Sequence, residues 1–237
     1  MIGLEEISWQ NEMKKYPKLV ADFKLIPEKT ALIIVDMQYY DAHADYGLGK
    51  IIGEKHKDLA EYFFIRLQLV LKNCVKLVNA FRKRNLKIFY VTFGASMQDG
   101  SDMLPLRKIR DAEIEKHTGT KSVFTKGTFE HNILDELKPL PEELVLNKTT
   151  RCAFAGTNLD HIMRMVGIES TVIIGALTNV CVENTARSSA DKGYKTFLVE
   201  DATATFSHEM QSVTLLNFAL FFGKVSNTDE IIKSLFI

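Results

Sequence analysis

The chain has 237 residues, 46% of them hydrophobic, which is enough to bury one sizeable core without disulfides. Its 30 basic and 30 acidic side chains cancel, so it lacks the global field that recruits nucleic acid or an anionic membrane, and a small, locally bound ligand is expected instead. The first thirty residues are charged throughout and unlike a signal peptide, and no stretch approaches the roughly 20 continuous apolar residues that span a bilayer.

Residues 1–29 read as an N-terminal arm with Trp9 as its natural anchor in an oligomer contact, and residues 30–237 as one domain without repeat or linker. ALIIVD (Ala31–Asp36) is an unbroken apolar run, as in a strand covered on both faces. In Leu69–Asn85, the residues Val70, Leu71, Cys74, Leu77, Val78 and Phe81 recur at helical spacing with Lys and Arg opposite. KIFYVTF (Lys87–Phe93) is a second strand. The connection Gly94–Thr128 that follows is long enough to act as a lid over a site. FEHNILDEL (Phe129–Leu137) reads as a short helix, and ELVLNK (Glu143–Lys148) as a third strand. Thr157–Gly167 is a helix stopped by glycine, STVIIGA (Ser170–Ala176) a fourth strand, and Cys181–Gly193 another glycine-stopped helix. KTFLVED (Lys195–Asp201), a last helix over His208–Phe222 and a short strand near Gly223–Ser226 complete the series. Alternation of this kind predicts an α/β fold with a mainly parallel, doubly wound sheet and helices on both faces. Ligands of such sheets bind at the carboxyl ends of the strands.

The strand ends therefore carry the chemistry: Asp36, Phe93–Gly94, Lys148 and Leu177–Cys181. Taken singly, Asp36 suits a turn, Lys148 a solvated loop, and a free cysteine a small buried hydrophobe. The three cysteines, Cys74, Cys152 and Cys181, are odd in number and widely spaced, which suits free thiols in a reducing cytoplasm. Cys74 lies on an apolar helix stripe and reads as packing; Cys152 has no activating neighbour except Arg151. Cys181 differs, because a helix N-terminus and a nearby lysine both favour the thiolate. A carboxylate beside it can take the thiol proton and return it to a departing amine. Backbone N–H groups in the turn before Cys181 could hold an oxyanion. Together these groups are sufficient for acyl transfer without a metal or other cofactor.

ALIIVDMQ, VLNKTTRCAFAGTNLD and VIIGALTNVCVENTARSSADKGYKTFLVEDATAT, in that order, resemble the isochorismatase-like cysteine hydrolases over about Thr30–Ser226. The resemblance implies a three-layer fold with a six-stranded sheet in the order 3-2-1-4-5-6. It also implies a catalytic triad of Asp36, Lys148 and Cys181, an oxyanion hole from the N–H groups of Leu177 and Cys181, and a cis bond between Ala176 and Leu177. Nicotinamidases of the family carry a metal-binding Asp-x-His after the second strand, where this chain reads VTFGASMQDGSDM; its histidines are scattered, with His43 and His208 the two to check. The nearer resemblance, carried also by KGTFEHNILDELKPLPEELVLNKTT and LLNFALFFGKVS, is to ureidoacrylate, biuret and N-carbamoylsarcosine amidohydrolases. It implies release of ammonia from a small amide, ureido or carbamoyl compound through an acyl-cysteine, and a homodimer or homotetramer. The alternatives are a vinyl-ether hydrolase of isochorismatase type with Cys181 a bystander, and a silent member that only binds a metabolite or protein. Arg151 and Phe154 are placed to border the pocket, Thr178 and Asn179 to contact substrate or cap the helix, and Gln38 to contact substrate or buttress Asp36. Arg107, Lys108 and Arg110 offer a carboxylate clamp, although their plainer reading is a solvated helix face. Asp201 reads as a structural turn residue.

Overall fold

The computed structural model describes residues 8–17, 19–119 and 124–237. Its central strand, β1 (Thr30–Val35), is buried at every position, and successive side chains enter different cores. Leu32 and Ile34 pack into one, Ala31, Ile33 and Val35 into the other. An apolar run with no polar face thus marks a strand covered on both sides. Five strands follow: β2 (Lys87–Phe93), β3 (Leu144–Lys148), β4 (Ser170–Ala176), β5 (Lys195–Ala204) and β6 (Lys224–Ser226). All pair in parallel, in the order β3-β2-β1-β4-β5-β6. The strand order reverses at β1, so a crevice opens where the carboxyl ends of β1, β2 and β4 diverge.

The helices are α1 (Trp9–Met13), α2 (Tyr39–Ala42), α3 (Gly47–Lys55), α4 (Lys57–Lys83), α5 (Pro105–Thr118), α6 (Leu159–Met165), α7 (Glu183–Asp191), α8 (His208–Phe221) and α9 (Thr228–Leu235). Phe63, Leu67, Val70, Cys74, Leu77 and Phe81 of α4 join Ile231 and Leu235 of α9 on one face of the sheet. Met163 of α6, Ala186 of α7 and Leu215 and Phe218 of α8 cover the other.

Several elements differ from the sequence reading. The helix expected from Leu69 begins at Lys57, because Ala60, Phe63 and Leu67 carry the buried stripe back. Phe129–Leu137 is not a helix. Its backbone is taken up by the chain after Asp36: Tyr39 N donates to Asn132 O at 3.0 Å, Tyr40 N to Glu130 O at 2.9 Å and Leu134 N to Met37 O at 3.0 Å. A 3-10 turn over Asp135–Leu137 then buries Leu137 in the core. α9 is an addition, started by a capping box between Asn227 and Glu230. Asp201 serves the same helix, its Oδ1 accepting from Thr228 N and Oγ1, each at 2.8 Å. Within the chain, Trp9 ties the arm to β5: its Nε1 donates to Glu200 Oε2 at 2.6 Å, and Gln10 Nε2 reaches the same oxygen. Of the Gly94–Thr128 connection, α5 is helical, with Pro105 in its first turn and Gly119 in left-handed conformation at its end; residues 120–123 lie outside the described residues.

Candidate active site

The site is built from three strand ends. Asp36, the residue after β1, has φ of 52°, a left-handed conformation that Asp tolerates better than most side chains. Its N–H donates to Val91 O of β2 at 2.9 Å. Lys148 closes β3, two strands away. Its side chain is wholly buried, passes the Phe93 ring with Nζ 4.6 Å from the centroid, and donates to Asp36 Oδ2 at 2.7 Å. After β4 the Ala176–Leu177 peptide bond is cis, and a π turn over Thr178–Val182 carries Cys181 before α7 begins. Cys181 thus sits in a wider turn than the first turn of an α-helix. The Leu177 carbonyl accepts from Val180 N at 3.1 Å and Val182 N at 3.2 Å, the amides on either side of Cys181. Gly175 is what lets β4 approach β1 so closely here. A Cβ on it would lie 2.0 Å from Val35 O, and its φ of 124° is open to glycine alone. That contact brings the Cys181 turn beside Asp36, so that the thiol and the carboxylate influence each other electrostatically.

Burial governs the electrostatics of this cluster. It raises the proton affinity of Asp36 above the ordinary carboxylate range, with the Lys148 ammonium and the Cys181 thiol pulling the other way. Burial alone would lower Lys148, but the adjoining Asp36 charge and Cys181 sulfur more than offset it and leave its affinity raised. The Cys181 thiol is pushed well up, by burial first and then by Asp36, against the pull of Lys148. This reverses the expectation of a lowered thiol: desolvation outweighs the lysine and the helix terminus. Iodoacetamide is therefore expected to alkylate Cys181 slowly at pH 7 and ever faster as pH climbs past the free-thiol value of about 8.5. Peptide mass spectrometry, with Cys152 as internal comparison, checks this; a rate already flat below pH 7 would mean a preformed thiolate.

Above the cluster lies a cavity of about 200 Å³, small beside sites for drug-sized ligands. Leu177, Val180 and Cys181 form its floor, and Leu48, Phe93 and Phe206 supply apolar wall. Tyr40, Asp41, Arg107, Arg110 and Arg151 complete it. Arg107 stands over the Phe93 ring at 4.9 Å, so the ring has Lys148 and Arg107 as cationic neighbours. Asp111 is buried between two guanidinium groups, accepting from Arg107 Nε at 2.5 Å and from Arg110 Nη2 at 2.6 Å. One carboxylate shared by two arginines, with Arg151 as a third cation, leaves the cavity rim electropositive.

The Isochorismatase domain family matches residues 30–230, most of the chain and every part of the site. This protein belongs to the isochorismatase family. Ureidoacrylate amidohydrolase RutB of Pantoea ananatis is 32% identical over 211 residues, covering 86% of this chain and 81% of the relative. RutB of Rhizobium rhizogenes is 28% identical, covering 87% and 83%, and Nicotinamidase 3 of Arabidopsis thaliana 29% identical, covering 75% and 85%. Among solved structures, a cysteine hydrolase from Pseudomonas syringae aligns with a TM-score of 0.72 at 23% identity, over 93% of this chain and 97% of that one. N-carbamoylsarcosine amidase from Thermoplasma acidophilum aligns with a TM-score of 0.62 at 25% identity, over 85% and 97%.

In this isochorismatase-family fold Asp36, Lys148 and Cys181 come together, and Arg151 lines the cavity beside them. The other expected substrate contacts face elsewhere. Gln38 is fully buried and bonded to backbone, accepting from Phe93 N at 2.7 Å and donating to Phe93 O and His131 O, so it pins the end of β2 under the site. Phe154 packs in the core against Tyr194. Asn179 Oδ1 accepts from Thr205 Oγ1 at 2.6 Å, a tether for the π turn, and Thr178 is buried behind it. His43 packs among Tyr39 and Tyr46, and His208 opens α8; neither lines the cavity. Arg107 and Arg110 turn out to be cavity residues, whereas Lys108 reaches back to Ser101 O. Asp41, Tyr40 and Asp111 were not anticipated. The signal for them is in DMQYYDA and RKIRDAE, where an acid adjoins aromatic or arginine residues. Among the described residues no group of three His, Cys, Asp or Glu side chains is placed to hold a metal.

Proposed function

We propose that this protein is a metal-independent cysteine amidohydrolase that releases ammonia from a small amide, ureido or carbamoyl compound through Asp36, Lys148 and Cys181. Its membership of the family, with relatives named as amidohydrolases along most of its length, makes it a hydrolase of carbon–nitrogen bonds other than peptide bonds. The observation that carries the finer reading is one buried cluster, thiol, carboxylate and ammonium, at the floor of a small cavity.

Burial that raises both Asp36 and Cys181 suits general-base chemistry. A raised carboxylate is a stronger base than an ordinary aspartate, and a thiolate formed from a raised thiol is a stronger nucleophile. Asp36 takes the proton as the sulfur attacks the substrate carbonyl, and the oxyanion is held by the N–H groups of Leu177 and Cys181. Asp36 passes that proton to the nitrogen as the C–N bond breaks and ammonia leaves. Water, deprotonated by Asp36, then attacks the thioester, and the acid product departs with the thiol restored. Lys148 stays charged throughout, orienting Asp36 and countering the negative charge that moves between carboxylate and sulfur. The electropositive rim favours a substrate with an anionic end, as the ureidoacrylate named for the RutB relatives suggests for them.

The direct test is ammonia release from a panel of small amides and ureido acids. Silence across the panel, with turnover of an isochorismate-like vinyl ether, would replace this reading. We also propose a homodimer or homotetramer in the cytoplasm; size-exclusion chromatography that finds a lone 26.9 kDa species removes the oligomer. No helix among the described residues is long and apolar enough to cross a membrane.

A further inference from the structure

The mechanism leaves one group in the cavity without a task. Asp41 lies on the wall beside Cys181, and its Oδ2 is buried with no hydrogen-bond partner. A buried acceptor without a partner costs free energy, so such groups mark places where something outside the fold completes the bonding. Of α2, Tyr40 and Asp41 both line the cavity, and Asp41 is the one that brings a carboxyl to it. The aim of α2 is set by α3, whose first two glycines, Gly47 and Gly49, lie closely against the α2 segment. A Cβ on Gly49 would lie 2.1 Å from His43 O, and one on Gly47 2.4 Å from the Tyr40 ring. The fold therefore holds the carboxyl in place without bonding it.

The charged groups around Asp41 fall into two sets. Asp36, Lys148 and Cys181 face it from the ends of β1 and β3 and from the π turn, and Arg107 and Arg110 face it from α5. Asp41 is therefore within electrostatic reach both of the reacting groups and of the α5 arginines. We propose that Asp41 is a specificity-determining contact of this site, its carboxyl accepting a hydrogen bond from an N–H placed between the substrate carbonyl at Cys181 and an anionic end at the arginines. This rests on the amidohydrolase reading and names the substrate as a ureido acid over a simple amide acid. Burial, and then the Asp36 charge, push the Asp41 carboxyl up to about 8 against Lys148, Arg107 and Arg110. Protonated or not, it keeps an oxygen free to accept.

Two probes of equal length separate the N–H from everything else: 3-ureidopropionate, and glutaramate, in which a CH2 replaces that N–H. Their dissociation constants for Cys181→Ala protein are measured by calorimetry with Asp41 intact, Asp41→Ala and Asp41→Asn, which removes the different reactivity of ureas and amides from the comparison. With Asp41 intact the ureido acid is expected to bind about 10- to 100-fold more tightly than glutaramate, the range for one hydrogen bond to a charged or strongly polar group. Asp41→Ala brings the two within about threefold, and Asp41→Asn, which still offers an oxygen, retains part of the preference. Equal weakening of both probes makes Asp41 merely structural and overturns the proposal, as does an unchanged preference or failure to bind either probe. Ammonia release from the Cys181-containing protein is read in parallel. An Asp41-dependent preference in binding without ammonia release sinks the amidohydrolase reading and leaves Asp41 as the contact.

Discussion

Cys181→Ala is expected to abolish ammonia release, by at least about 10⁴-fold in kcat, while ligand affinity stays within a few-fold. The thiol forms the covalent bond in the proposed sequence, so no other group of the cavity substitutes for it. Asp36→Asn should fall nearly as far, since a thiol held up by burial delivers no thiolate without its base. The two act as a unit, so the double variant should be scarcely worse than either alone. Single-turnover assays alongside calorimetry separate the loss of chemistry from any loss of binding. Comparable turnover in Cys181→Ala would make the cysteine a bystander and favour the vinyl-ether alternative.

Lys148→Met should be the most damaging change to the fold. It removes one partner of a buried pair joined at 2.7 Å and strands a carboxylate that burial already disfavours. Breaking such a pair from one side costs about 3–5 kcal/mol, far more than an exposed pair contributes. The pH dependence has a definite sign. Without the ammonium, Asp36 loses its largest opposing influence and its folded proton affinity rises further above the unfolded value of about 3.9. The folded state then binds more protons than the unfolded state above that value. The variant should be most stable in acid and lose stability as pH rises from the ordinary carboxylate range towards the raised folded value. Denaturant midpoints at pH 5 and pH 8, compared with wild type, measure this. Asp36→Asn in the same chain should recover much of the stability and flatten the pH dependence without restoring activity. A single variant equally stable at both pH values would mean that Asp36 is not left as a buried charge.

Arg82 offers a contrast. It donates to both carboxylate oxygens of Glu143, at 2.8 and 2.7 Å, from a partly exposed position where solvent screens the charges. Loss of either partner there leaves a group that water can reach, so the pair ties α4 to the start of β3 without the vulnerability of Lys148.

What the sequence discloses depends on how local the cause is. The unbroken run in β1 and the glycine stops after α6 and α7 are local features, and they locate the strand ends from which Asp36, Lys148 and Cys181 project. Phe129–Leu137 misleads because its helical pattern competes with backbone partners at Met37, Tyr39 and Tyr40, about ninety residues away in the chain. Gln38 and Phe154 mislead for a related reason: both lie close in sequence to Asp36 or Lys148, but closeness along the chain does not fix which layer a side chain enters, and both turn into the interior. Asp41 and the Arg107–Asp111–Arg110 cluster could not be ranked among many similar surface patterns until α2 and α5 were seen to meet over one cavity.

By itself, then, the sequence determined the alternation of strands and helices, the parallel sheet it implies, and the three side chains at its carboxyl edge, since periodicity, glycine and residue type act within a few positions. Only the tertiary structure decided which of the neighbouring residues face the cavity, that Asp41 has an oxygen with no partner, and that the Cys181 thiol is raised and not lowered. Each of these is a property of burial. Desolvation is set by everything packed around a group, and most of what surrounds Cys181 and Asp41 comes from distant parts of the chain.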